Sequence, residues 1–206
     1  MMSSQPTYSP ASVESISRTI EALAARNVVA ELVESREAAL ARLKELVPEG
    51  CEVFVSTSET LDTIGYTEYM HDNDRYINLH DQMLEQPDAA AQREFRRTTT
   101  TADYFVGSVQ AIAETGEIVV ASGSGSQIGA FAYGARRVIM VAGTQKICPT
   151  LAEAEERTRG FTLERHDRWL EGRGGSAAPI GKFLVMEHEP VGGRITMLLI
   201  PESLGW

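Results

Sequence analysis

Cysteine is nearly absent from this chain, with only Cys51 and Cys148 in 206 residues. Two cysteines cannot build a disulfide framework, and each sits in or beside an apolar, strand-like run, so the expectation is an intracellular, reduced protein. Long apolar runs are also missing. No stretch approaches the roughly 20 residues that a membrane helix requires. The first ten residues are polar and carry no apolar segment of the kind that opens a secretory signal, which makes the cytoplasm the expected address. Positive charge is scarce too, with 19 Lys and Arg against 29 Asp and Glu and a formal net charge of -10. Such a balance repels phosphate backbones and anionic lipid, so neither nucleic acid nor membrane is an expected partner. The best basic cluster, Arg93, Arg96 and Arg97, reads as a solvated helix face. The four histidines, His71, His80, His166 and His188, show no HxH, HExxH or Cys-paired spacing, and no zinc site is expected. There is no nucleophile elbow, no P-loop and no internal repeat.

What is present is an ordinary globular composition, 43% hydrophobic and 23% charged, long enough to bury a core without staples. Residues 1–10 read as a mobile tail. From there Val13, Ile16, Ile20, Leu23, Val28, Leu32, Ala39, Leu43 and Leu46 recur at helical spacing, predicting one long helix, or two with a break near Asn27 and Val28. Pro48-Glu49-Gly50 ends it. A helix of that length could dock on the sheet or serve as a dimer arm. The resulting division is an N-terminal tail and helical extension over 1–48 and an α/β domain over 49–206.

Within the α/β domain, Val53-Phe54-Val55 is a strand covered on both faces. Ser56 to Glu59 fits a capping box that opens a helix running to about Met70. Tyr76 to His80 is a weak strand, and Asp88 to Arg97 a helix. Tyr104 to Val109 and Glu117 to Ala121 are strands around a Thr115-Gly116 turn, and Arg137 to Ala142 is the clearest buried strand. Pro149, Thr150 and Glu153 open a second capped helix, Gly160 to Gly181 reads as a long surface loop, and Lys182 to Met186 and Arg194 to Ile200 close the sheet. The alternation predicts an α/β sandwich with a largely parallel sheet, with an antiparallel edge from the final strands.

The candidate chemistry gathers around Asp103 to Gly134. Glu114, next to the Thr115-Gly116 turn, is placed to project from a strand end as a general base or acyl-accepting nucleophile. Its structural alternative is a carboxylate that bonds turn amides. The loop Ser122 to Ser126, containing Gly123, Ser124, Gly125 and Ser126, precedes a short helix and offers amides to an anion. Ser58 and Thr60 supply hydroxyls at a helix start. Lys146, just after the buried strand, offers a positive charge near the same sheet edge.

The run Gly107-Ser108-Val109-Gln110-Ala111-Ile112-Ala113-Glu114-Thr115-Gly116 resembles the LUD-domain family of the lactate utilisation protein C type, whose pattern is approximately Ser-x-Asn-Ala-Ile-x-Glu-x-Gly. The likeness continues in Tyr133-Gly134, Val138 to Gly143, Lys146-Ile147, the helix with Ala154 and Arg157, and Arg194 to Gly205. It is also present in Ser58-x-Thr60-Leu61-x-x-Ile64-Gly65. The resemblance implies a three-layer α/β/α fold like that of ribose-5-phosphate isomerase, glucosamine-6-phosphate deaminase and the CoA transferases. It further implies a place in L-lactate oxidation beside iron-sulfur partner proteins. Ligand contacts are then expected from Ser58, Thr60, Gln110, Thr115, Gly116, the Gly123 to Ser126 loop and Lys146, toward a small anion bearing phosphate, carboxylate or CoA. Glu114 before its turn is loosely similar to the Glu-Asn-Gly of the transferases, which makes acyl-CoA transfer one alternative. A non-catalytic assembly subunit, or a homo-oligomer joined through the N-terminal helix, is another. Two departures stand out. Gln110 occupies a position where relatives carry Asn, and Gly160 to Pro190 lacks their cysteine cluster, so no iron-sulfur cluster is expected on this chain.

Overall fold

The structure, a computed structural model, describes residues 8–206. Most of the expected mobile tail, residues 1–7, lies outside the described residues. Ser12 caps α1 (Val13–Ala25) by accepting from the Ser15 amide. Asn27, with φ of 67°, ends the turn that follows α1, in a conformation that asparagine tolerates better than most side chains. The predicted break therefore exists, and more than a break fills it. Residues Val29–Leu32 form strand β1 before α2 (Arg36–Leu46), so the region has one helix of thirteen residues and one of eleven with a strand between them.

The chain continues through β2 (Glu52–Val55), α3 (Glu59–Thr63), α4 (Tyr66–His71), β3 (Ile77–Asn78), α5 (Leu79–Leu84), α6 (Ala89–Thr98) and β4 (Tyr104–Ser108). It then runs through β5 (Ala111–Ala113), β6 (Ile118–Ser122), β7 (Arg137–Gly143), β8 (Ile147–Cys148), α7 (Leu151–Arg157), α8 (Leu163–Glu171), β9 (Lys182–Met186) and β10 (Ile195–Ile200). Six strands form one parallel sheet in the order β1-β10-β7-β4-β2-β3. Four others form a smaller mixed sheet in the order β8-β5-β6-β9.

Both faces of the parallel sheet are apolar, as continuous Val/Ile/Met runs require. Val138, Met140 and Ala142 of β7 face one cluster together with α1, α5 and the smaller sheet. Ile139 and Val141 face the other, with α2, α3 and α4. The far side of the smaller sheet carries α7, through Ala154 against Ala111 and Val119. The segment expected as an extension is thus part of the domain, since β1 pairs with β10 and Ile16, Leu23, Ala39 and Leu43 enter the cores.

Four further expectations are corrected. The cap of α3 is Ser58, whose hydroxyl accepts from the Leu61 amide, while Ser56 is buried behind it. Gly65 then splits the expected helix into α3 and α4. Residues 160–181 are no loop throughout, because a π turn (Thr158–Thr162) leads into α8. Finally, β10 lies inside the parallel sheet, and the antiparallel partner is β9, in the smaller sheet. Among the described residues no helix is long and apolar enough to cross a membrane.

Candidate functional site

Strand order places the site. From β2 the chain moves outward to β3, then returns past β2 to β4 and continues the other way to β7, so the connections diverge between β2 and β4. In a parallel sheet such a divergence leaves a crevice at the carboxyl ends of the two strands. A cavity of about 190 Å³ opens there, lined by the segments that follow β2 (Ser56 to Thr60), β4 (Ser108 to Gln110) and β7 (Lys146). Its outer walls are the end of β6, one face of α8 with Leu163, His166 and Trp169, residues 178–180, and Gly205-Trp206. Trp169 and Trp206 meet edge to face at 6.2 Å, and His166 stacks on Trp169 at 6.1 Å. One wall is therefore hydroxyl-rich and the other aromatic.

Lys146 lies at the junction of the two sheets, at the end of a single 3-10 turn (Thr144–Lys146) between β7 and β8. It is 2% exposed. Its Nζ donates to Thr60 Oγ1 at 3.0 Å and to Ser108 Oγ at 2.9 Å, and among the described residues it forms no ion pair. Burial, reinforced by the positive charge of Arg157, pushes its pKa down to about 7, with Glu59 opposing. Glu59 lines the same cavity, and burial raises its carboxyl against the pull of Lys146.

Arg157, at the end of α7, is fully buried behind the wall. Its guanidinium donates to the Gln110 carbonyl and, at 2.9 Å, to Thr162 Oγ1, with the Tyr8 ring 4.6 Å away. Among the described residues Nε and Nη2 have no hydrogen-bond partner. Neither buried basic side chain has a salt bridge among the described residues, and Lys146 meets the desolvation cost by giving up its proton more readily.

The structure brings together five of the residues expected from sequence, Ser58, Thr60, Gln110, Gly123 and Lys146. Gln110 Oε1 accepts from the Ala121 amide at 2.8 Å and so ties β5 to β6 at the cavity edge. The other six stand elsewhere. Glu114 follows β5, where Ser15 Oγ donates to it at 2.6 Å and Arg18 donates twice, at 2.7 and 3.0 Å, which lowers its pKa. It clamps α1 against the smaller sheet and does not line the cavity.

Thr115 and Gly116 form the β5–β6 turn, whose Thr115 carbonyl accepts from Arg26 Nε at 2.7 Å. A Cβ on Gly116, at φ of 95°, would meet the Ala22 backbone at 2.8 Å. Ser124, Gly125 and Ser126 make a self-contained turn. The Gly125 amide is taken by Ser122 Oγ and the Ser126 amide by Ser124 Oγ, so these two amides already have partners.

Glu59, Ser108 and Arg157 figure in the sequence only as a cap or as part of the family likeness, and they and the aromatic wall of α8 are not among the site candidates it offers. Ser108 had a usable signal, as the last residue of an apolar run and hence a strand end. Arg157 follows Ala154 by three residues, on the buried face of α7, and only the packing of α7 on the smaller sheet reveals that it is enclosed. Among the described residues no group of three His, Cys, Asp or Glu side chains is placed to hold a metal ion.

A family model described as the LUD domain matches residues 16–169, from the first helix to the last. The chain belongs to the LUD-domain family. This LUD-domain protein is similar in structure to a DUF162 family protein from Deinococcus radiodurans, with a TM-score of 0.56 and 14% identity over 93% of this chain and 99% of that one. At that identity the likeness is one of fold. Two weaker structural matches are eIF2B beta and eIF2B delta from Chaetomium thermophilum. Their TM-scores are 0.35 and 0.36 at 15% and 12% identity, covering 54% and 68% of this chain and 38% and 53% of theirs. No curated protein matches the LUD-domain sequence.

Proposed function

We propose that this LUD-domain protein binds a small anionic metabolite in the cavity beside Lys146, as part of a lactate-utilisation system in the cytoplasm. The observation that carries the reading is the pair of buried basic side chains without a salt bridge among the described residues, Lys146 in the cavity wall and Arg157 just behind it. A carboxylate or phosphate oxygen would complete the coordination of the Lys146 ammonium. Thr60, Ser108, Ser58 and Gln110 supply the neutral donors and acceptors around it, while His166, Trp169 and Trp206 line the opposite side.

Size narrows the choice. At about 190 Å³ the cavity is smaller than the roughly 300–1,000 Å³ usual for drug-sized ligands, so it suits a carboxylate of a few atoms. A CoA ester could place only its acyl end there. Family membership supports a place in lactate use, with lactate and pyruvate the first compounds to test. The parallel sheet with its site at strand ends is in keeping with the fold of ribose-5-phosphate isomerase and the CoA transferases, which we take as this domain's relationship.

Isothermal titration calorimetry with lactate, pyruvate, inorganic phosphate and acetyl-CoA tests the reading. Binding of a small carboxylate or phosphate that is lost in Lys146→Met supports it. No heat with any of the four, or binding unchanged in Lys146→Met, overturns it.

A further inference from the structure

The hydroxyls around Lys146 have only one proton each, and both are committed. Thr60 Oγ1 lies 3.2 Å from the Leu204 carbonyl and Ser108 Oγ 2.7 Å from the Val141 carbonyl. Carbonyls only accept, so each hydroxyl turns its lone pairs to Lys146 Nζ. The 3.3 Å contact between the two hydroxyls is longer than that of Ser108 with Val141 and does not take its proton. Two N–H bonds are thereby satisfied. An ammonium has a third, which finds no acceptor among the described residues, whereas a neutral amine has a lone pair in that direction.

The surroundings favour the same form. Burial and the Arg157 charge hold Lys146 near pH 7, where amine and ammonium coexist. An amine with a free lone pair in a desolvated cavity is a nucleophile toward carbonyl carbon. Glu59, an exposed residue on the rim of the same cavity whose carboxyl partial burial raises, is the proton donor and acceptor nearest to hand.

From this arrangement we infer that Lys146 condenses with the carbonyl of a small anionic carbonyl compound, a 2-oxo carboxylate or a keto phosphate, to form a protonated imine in the cavity. The inference rests on the anion-binding reading of the same site and adds a covalent step to it. In that step the Lys146 nitrogen forms a bond to the carbonyl carbon, the C=O π pair moves to oxygen, and the Glu59 carboxyl gives that oxygen a proton. The nitrogen then releases one proton to the Glu59 carboxylate. A second transfer from Glu59 lets the C–O bond break, with water leaving and the nitrogen lone pair closing the C=N bond. The products are one iminium and one water. The anionic group meanwhile faces the positive field of Arg157.

Sodium borohydride trapping provides the test. The full chain is incubated with pyruvate, with dihydroxyacetone phosphate or with lactate, reduced, and read by intact mass and peptide mapping. The expected result is a single adduct on the peptide carrying Lys146, from pyruvate or from the keto phosphate according to which anion the cavity takes. It should be absent with lactate, which has no carbonyl, and absent in Lys146→Met. The rate at which the adduct forms, read from its first minutes, should rise with pH through 7 as the amine fraction grows.

Calorimetry on the unmodified protein separates the two readings without any variant. Binding of lactate or pyruvate with no adduct at Lys146 overturns the imine and leaves anion binding intact. Absence of both binding and adduct overturns both. Adducts spread over Lys44, Lys146 and Lys182 alike show ordinary surface chemistry and overturn the imine.

Discussion

At the residue scale, the proposed anion site would link ligand binding to pH through Lys146. Binding there would use the ammonium, whose fraction falls above pH 7, so affinity for lactate should weaken about tenfold for each pH unit above that point. Stability runs the other way. Between about pH 7 and the ordinary lysine value of 10.5, the unfolded chain holds a proton that the native amine has released, so this residue's contribution to stability rises with pH across that window. Below about pH 7 the buried ammonium imposes its full penalty. Lys146→Met, which keeps volume and removes the charge, should therefore gain most in melting temperature over wild type at pH 6 and least at pH 9. A pH-independent difference would contradict the assignment.

Glu114 behaves in the opposite sense. Its carboxylate is held by Ser15 and Arg18, so its stabilising contribution is present above the usual carboxylate range and lost as pH falls through its lowered value. Because Arg18 is 59% exposed, Glu114→Gln should cost no more than about 1 kcal/mol in denaturant unfolding. The same variant should leave ligand affinity unchanged, and a loss of binding would return Glu114 to the site.

At the element scale, the β5–β6 turn and the terminal segment 201–206 matter most. Gly116 has positive φ and an added Cβ would lie 2.8 Å from the Ala22 backbone, so Gly116→Ala should lower stability by about 1–3 kcal/mol through strain at the junction with α1. Gly205, at φ of 63°, lets the chain pass over Thr60. A Cβ there would lie 2.5 Å from Thr60 Oγ1 and 3.6 Å from Lys146 Nζ. Gly205→Ala should accordingly weaken ligand binding more than it lowers the melting temperature, as measured by calorimetry and thermal unfolding on the same sample.

The elements also show what sequence could carry. β2, β4 and β7 were legible because contiguous Val, Ile, Phe and Met mark strands covered on both faces, and Thr150 with Glu153 marked the start of α7. β1 was not legible, because Val29–Leu32 sits in a stretch whose apolar residues also fit a helix, and only pairing with β10 decides for strand. The face of α8 was obscured for a related reason. Its packing residues Leu163, His166 and Trp169 include a histidine and are interleaved with Arg and Glu, so the apolar stripe is thin.

The site followed the same division. Lys146 and Thr60 are legible as cavity residues because residues just beyond apolar strands, or in the first turn after one, fall at a sheet edge. Glu114 satisfied the same rule and belongs to a different edge, since β5 lies in the second sheet. No spacing in the sequence separates the two sheets.

At the scale of the whole molecule, the N-terminal region and the site belong to one packed body. α1 covers the parallel sheet with Ile16 and Leu23, and β1 shields the edge of β10. Deleting residues 1–35 should expose that edge and part of the core, giving a chain without cooperative unfolding by circular dichroism. A stable, ligand-binding fragment would instead show that the α/β core stands alone.

Calorimetric titration of lactate or pyruvate into the intact protein at pH 6, 7, 8 and 9 tests the Lys146 site most directly. Affinity should fall through pH 7 to 9, with proton uptake on binding above pH 7 and no binding in Lys146→Met. Affinity that is flat across this range, or retained in Lys146→Met, would contradict the claim that the Lys146 cavity is the anion site.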